Sequence, residues 1–172
     1  MEEKRLGTTS LVLSAALAAA VFVATVVVRI PIPATGGYLN FGDAVIILAA
    51  LLFGPLVGAI AGGVGACAAD LVGFPVFAVP TLVIKGLMGA IVGTAGGRSS
   101  GIPRAVGSAA LGEAWMVLGY FGVETWVFSR SMGLDAAIAE VYFNFMQAAF
   151  GLILGCSAYA FLRKQRSIHL PS

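Results

Sequence analysis

Charge is what this chain has least of. Only 10% of its 172 residues are Asp, Glu, Lys or Arg, against roughly 25% in an ordinary soluble domain. That excludes a soluble globular protein, and a formal net charge of +2 is too small for a nucleic-acid-binding surface. Histidine is nearly absent: His169 stands alone in the polar C-terminal tail, so no imidazole is available inside an apolar segment for a zinc site or a Ser/His hydrolase. HExxH is also missing. The two cysteines, Cys67 and Cys156, lie far apart in apolar runs without CxxC or Cys/His spacing, and read as small buried hydrophobes rather than a disulfide or metal ligands. The glycine-rich stretches GGVGACAAD and GTAGGRSSG lack the Gly-Lys-Ser/Thr that grips phosphate and magnesium, so ATP is not bound in that way. Neither an enzyme activity nor a resident metal or cofactor is implied.

What the chain has in excess is hydrophobicity: 59% of its residues are apolar and its mean hydropathy is +0.99. With about 20 residues per bilayer crossing, it reads as an all-α integral membrane protein, one membrane domain over 1–172 with six transmembrane helices. Their expected spans are 9–30, 41–53, 56–72, 81–96, 105–128 and 136–163. The first apolar run has no small-residue cleavage site and is expected to remain as a span. The second helix is too short to cross comfortably, because Gly54-Pro55 breaks it. Lys4 and Arg5, Arg98 and Arg104, and Arg163, Lys164 and Arg166 fall on one face of a six-helix layout. By the positive-inside rule that face, with both termini, is cytoplasmic. The loop PIPATGGYLNFGD between helices 1 and 2 is then extracellular.

Six ionisable residues interrupt the apolar segments: Asp43, Asp70, Lys85, Glu113, Glu124 and Glu140. Each costs about 2.5–3.5 kcal/mol at a helix centre on insertion scales, so their presence calls for a function or a partner. All but Glu113 fall in the extracellular half, unlike the continuous polar lining of a channel. Glu140, Asn144 and Gln147 are spaced i, i+4, i+7 on one face of helix 6. The bland reading is interhelical glue; the sharper one is a single cavity. Asp70 and Lys85 are expected to pair, leaving a net acidic site, and Asp43 either caps helix 2 or joins that site. Tyr38, Phe41, Trp115, Tyr120, Tyr142 and Phe143 supply rings on which a flat ligand can stack, whereas Trp126 and Phe128 suit an interfacial belt. The candidate substrate-binding set is Tyr38, Asn40, Asp70, Lys85, Glu113, Tyr120, Glu140, Asn144 and Gln147. The two prolines and the Gly-Gly pair of the first loop make it a candidate lid.

Small residues recur at four-residue spacing, as Ala15/Ala19 and Ala16/Ala20 on helix 1 and Gly58/Gly62 and Gly62/Ala66 on helix 3. They permit close helix approach, within the bundle or with a partner. Two classes of function remain, a ligand-binding transport subunit and a small self-associating channel or scaffold.

Asn40-x-Gly42-Asp43, Phe53-Gly54-Pro55, the Gly-rich helix ending in Asp70, and Lys85-Gly86 together resemble the substrate-binding S components of energy-coupling factor (ECF) vitamin transporters of bacteria and archaea. The resemblance is strongest from Leu11 to Gly93. It implies a six-helix S-component fold in the cell membrane, with a vitamin bound beneath the first loop. It also implies that Ala15, Ala16, Ala19 and Ala20 dock on a membrane-embedded coupling (T) subunit driven by two ATPase subunits. The acidic surplus and the helix 6 face favour a pyridoxine or hydroxymethylpyrimidine type of ligand, with riboflavin next.

Overall fold

The computed structural model describes residues 8–31, 38–97, 100–127 and 129–168. Among these, six α-helices follow in order: α1 (Thr8–Val27), α2 (Gly42–Phe53), α3 (Pro55–Gly73), α4 (Ala78–Gly96), α5 (Ile102–Gly122) and α6 (Ser129–Ile168). Five helical spans are long and apolar enough to cross a membrane, and α2 is the short apolar one. A 12-residue helix rises about 18 Å, well under the roughly 30 Å hydrocarbon core, and it ends where the sequence places its break. Gly54 adopts φ 92°, a left-handed value open to glycine, and Pro55 then opens α3, where its missing N–H removes nothing.

Several helix ends differ from expectation. Helix 1 stops at Val27 instead of residue 30, as the chain turns extended ahead of Pro31, and beyond its end the Arg29 side chain donates to the Ala69 carbonyl at 2.8 Å. Helix 4 starts at Ala78 rather than 81, since Pro80 sits in its first turn, where proline is tolerated. Helix 5 starts at Ile102 and passes into a π-helical turn, Val123–Val127. Helix 6 spans 40 residues instead of the expected 136–163; at 1.5 Å per residue that is about 60 Å, twice a bilayer core.

The first loop is pinned at both ends by a two-residue antiparallel ladder, β1 (Ile30–Pro31) with β2 (Tyr38–Leu39), in the register Ile30–Leu39 and Pro31–Tyr38. Its tip, residues 32–37, with Pro33 and the Gly36-Gly37 pair of the candidate lid, lies outside the described residues, as do Lys4, Arg5, Arg98 and His169.

Glycine and alanine set how closely the helices meet. A Cβ on Gly62 would stand 2.6 Å from the Lys85 carbonyl oxygen, and one on Gly58 would stand 2.6 Å from the Ala50 Cβ. The small face of α3 is therefore consumed by contacts with α4 and α2. The alanines Ala15, Ala16, Ala19 and Ala20 are exposed, while Ser14, Ala18, Val21 and Thr25 face inward. Ile46, Ile47, Leu51, Met88, Met116 and Tyr159 form the fully buried centre. At one end of the bundle Tyr159 and Arg163 of α6 both donate to the Ser100 carbonyl, at 2.9 and 2.7 Å, and Arg104 donates to that of Ala95 at 2.8 Å.

Replacing Gly62 by leucine is expected to prevent recovery of folded protein, because the obstructing atoms are backbone. Gly107, with no atom within 4 Å of a Cβ, is expected to accept alanine with unchanged or slightly higher Tm. Size-exclusion profiles and thermal unfolding in detergent check both outcomes.

Candidate functional site

All six ionisable residues of the apolar segments are buried in the bundle; none faces lipid. They surround or adjoin one cavity at the end of the bundle away from Ser100. The cavity holds about 610 Å³ of empty space, its open mouth included. Every helix contributes: Thr25 from α1, Asp43 and Ile46 from α2, Ala66 and Asp70 from α3, Thr81 and Lys85 from α4, Tyr120 from α5 and Glu140, Asn144 and Gln147 from α6. Tyr38 and Asn40 enter from β2 and the residue after it, Phe74 and Phe77 from the α3–α4 link, and Glu124 from the π-helical turn.

The floor is a polar chain crossing three helices. Lys85 Nζ contacts Asp43 Oδ1 at 2.5 Å, with side chains 3% and 1% exposed. Gln147 Nε2 donates to Asp43 Oδ2 at 2.7 Å. The other end of that amide, Oε1, accepts from both the backbone and the side-chain nitrogen of Asn40, each at 3.0 Å. Asn40 Oδ1 in turn accepts from Gly42 N at 2.9 Å. One expectation is thereby corrected and one open alternative decided. Lys85 pairs with Asp43 rather than with Asp70, whose carboxylate is taken up by the Tyr38 hydroxyl. Asp43 is not a cap: no side chain caps α2 from its N-cap position, and it is Asn40 that takes the first free amide.

Asp70 is held at the mouth instead. Tyr38 Oη donates to Asp70 Oδ1, and the Arg29 guanidinium lies 4.5 Å from the Tyr38 ring centroid, within cation–π range. Three chain segments meet here, the end of α1, the β2 strand and the last turn of α3. Burial, and after it the neighbouring Asp70 carboxylate, pushes the Tyr38 phenol above its ordinary value, against a smaller opposing pull from Arg29. A raised phenol stays a neutral donor: its contribution to stability is complete below about pH 10 and is lost only as pH climbs through the raised value.

The aromatic wall is only partly the expected one. Phe74 and Phe77 stack at 5.1 Å, and Phe77 meets Tyr120 at 6.2 Å. Tyr120 also hydrogen-bonds Thr81 at 2.8 Å, and Lys85 Nζ lies 5.5 Å from its ring centroid. Trp115 turns away and donates to the Ile84 carbonyl at 3.1 Å. Tyr142 is exposed and packs edge-on with Phe143 at 5.9 Å, and Phe41 packs on Phe150 at 6.1 Å. None of Trp115, Tyr142, Phe143 and Phe41 lines the cavity. Trp126 is 88% exposed, as a belt residue would be.

Of the candidate binding residues, Tyr38, Asn40, Asp70, Lys85, Tyr120, Glu140, Asn144 and Gln147 line this one cavity; Glu113 does not. Its carboxyl group is buried with neither oxygen hydrogen-bonded among the described residues, close to Asp43 and to the space that a Cβ on Gly151 would fill. The candidate set omitted Thr25, Phe74, Phe77, Thr81 and Glu124. Thr81 had a readable signal, one turn before Lys85, and Thr25 is a polar interruption of a valine-alanine helix. Lys85 and Gln147 are structural members of the floor, whereas Thr25 Oγ1, Glu124 Oε2 and Asn144 Nδ2 are buried atoms with no hydrogen-bond partner among the described residues. Unmet polar atoms in an otherwise satisfied wall are where a ligand has something to offer.

Comparison with known proteins agrees with this architecture. The family model described as "ECF-type riboflavin transporter, S component" matches residues 5–164. A protein of Pyrococcus woesei described as "Uncharacterized protein in gap 3'region" is 47% identical over 146 residues, covering 85% of this chain and 96% of that one.

Replacing Gln147 by leucine is expected to lower stability by about 2–3 kcal/mol, since it strips a partner from a buried carboxylate and two from Asn40. Tyr38→Phe should cost about 1 kcal/mol and remove a phenol that resists ionisation near pH 10. Thermal unfolding and a tyrosinate absorbance titration check these outcomes.

Proposed function

From the premise that the chain belongs to the ECF-type riboflavin transporter S component family, and so is a multi-pass membrane subunit of a vitamin-type transporter, we propose its specific task. It captures a heteroaromatic B-vitamin or a close relative from outside the cell and delivers it inward with an energy-coupling module. The observation that carries this reading is the cavity itself. It is walled on one side by Phe74, Phe77 and Tyr120 and on the others by amides, hydroxyls and carboxylates, the combination that sandwiches a flat ring and reads its edge.

Orientation follows from the basic residues. Arg104, Arg163 and Lys164 gather at the end opposite the cavity, with Arg98 and Arg166 near them in sequence and Lys4 and Arg5 just ahead of α1 in sequence. By the positive-inside rule that end and both termini are cytoplasmic, and the cavity opens outward. Recognition without an ATP site requires energy from elsewhere. The exposed alanine face Ala15, Ala16, Ala19 and Ala20 is the surface offered to the coupling subunit and, through it, to two ATPases.

The carboxylates on the wall favour a ligand rich in hydrogen-bond donors, of the pyridoxine or hydroxymethylpyrimidine type. Riboflavin is the second reading, favoured by the family's description and compatible with a cavity that carries an aromatic wall and a separate polar floor. The single domain and the nine-residue binding set stand as parts of the same proposal, with Lys85 and Gln147 acting through the floor.

Purification in mild detergent followed by mass spectrometry of the bound small molecule tests the proposal. A single heteroaromatic compound at one per monomer is expected; an oligomer with an empty cavity would instead point to a self-associating scaffold or channel. Tyr120→Leu and Asn144→Leu should each weaken ligand binding about tenfold or more, with Tm nearly unchanged for Asn144→Leu. Ala16→Trp and Ala19→Trp should leave binding intact and abolish uptake in cells carrying the module.

A further inference from the structure

The π-helical turn gives the cavity a feature that helical periodicity does not predict. An α-helix continued from α5 would carry its side chains round at 100° per residue; the π turn Val123–Val127 inserts a wider step. Within that step Glu124 is 3% exposed, lines the cavity, and holds Oε2 without a hydrogen-bond partner. The turn packs on α6, whose Asn144 lines the same cavity with an unpartnered Nδ2. An acceptor and a donor thus stand unmet on two packed elements, beside the Phe74, Phe77 and Tyr120 rings. Neither belongs to the Lys85–Asp43–Gln147–Asn40 chain.

We propose that Glu124 is the specificity-determining residue of the cavity. Its free carboxyl oxygen accepts a hydrogen bond from an N–H on the edge of a nitrogen heteroaromatic ring, while the Asn144 amide donates to an acceptor beside it on the same edge. The proposal rests on the reading of this cavity as the substrate site and narrows it. An aminopyrimidine carries an N–H next to a ring nitrogen, and the flavin pyrimidinedione carries an N–H between two carbonyls. Both present the required edge in their neutral forms. Pyridoxine carries a ring N–H in its zwitterion, but that nitrogen is flanked by a methyl-bearing carbon and a C–H with no acceptor for Asn144, so it meets only half of the pattern and ranks below both. A buried carboxyl oxygen left facing a ligand without a donor loses its hydrogen bond to water and gains none in return. Such sites discriminate strongly against the analogue that lacks the group.

The test uses the full-length protein in detergent and isothermal titration with two pairs of compounds. One pair is riboflavin and riboflavin methylated at its pyrimidinedione nitrogen; the other is aminated hydroxymethylpyrimidine and its dimethylamino form. The parent that binds is expected to bind about tenfold or more tightly than its blocked partner. In Glu124→Leu the parent should fall to the level of the blocked compound and the difference should vanish. Glu124→Gln, which keeps a carbonyl acceptor, should retain part of it. Equal binding of parent and blocked compound by the unaltered protein, a measurement that needs no variant to fold, overturns the proposal and leaves the vitamin-binding reading standing. Persistence of the difference in Glu124→Leu, or tighter binding of pyridoxine than of either parent, does the same. Failure of all these compounds to bind overturns the reading of the cavity along with the proposal.

Discussion

A lysine and an aspartate removed from both water and lipid can exist in this bundle only together. Asp43 and Lys85 are almost wholly buried, and an isolated charge at that depth would be neutralised or would draw water in with it. Their contact fixes α2 against α4. Gln147 then fixes α6 to Asp43, and Asn40 fixes the start of α2 and the end of the first loop to Gln147. The cavity floor is this chain of bonds. The short helix α2 also follows from it: a helix that does not span the bilayer is kept in place by polar contacts at its first turn and by the Gly54-Pro55 break at its last.

Small residues divide the rest of the work by position. On α3 and α4 glycines are needed inside, because Gly62 lies against the Lys85 backbone and Gly89 against Gly58. That close approach brings Lys85 within reach of α2. On α1 the pattern is reversed, with Ser14, Ala18, Val21 and Thr25 turned inward and the alanines between them left outside. The same spacing of small residues therefore has two meanings, which burial separates and sequence does not.

Much of the architecture was legible because it rests on local chemistry. Length and apolarity gave the helices, Gly54-Pro55 gave the broken second one, and the i, i+4, i+7 polar face of α6 gave three cavity residues that do lie together. Partner choice was not legible. Asp70 was the expected partner of Lys85, since depth alone does not set Asp43 apart, and the contact with Asp43 comes from how the helices pack. The π-helical turn was hidden for a related reason: Val123 to Val127 has no composition that distinguishes it from ordinary helix, so the inward aim of Glu124 depends on packing. Phe74 and Phe77 looked like link residues until the chain between α3 and α4 folded them over the cavity.

The central claim is that the buried pair organises the cavity, and a double-mutant cycle of Asp43→Leu and Lys85→Met measures it most directly. Thermal and denaturant unfolding in detergent should show each single change costing about 3–5 kcal/mol, because it strands the other charge, and the double change costing far less than their sum. Additive losses would mean that the two residues act independently, and would contradict the account.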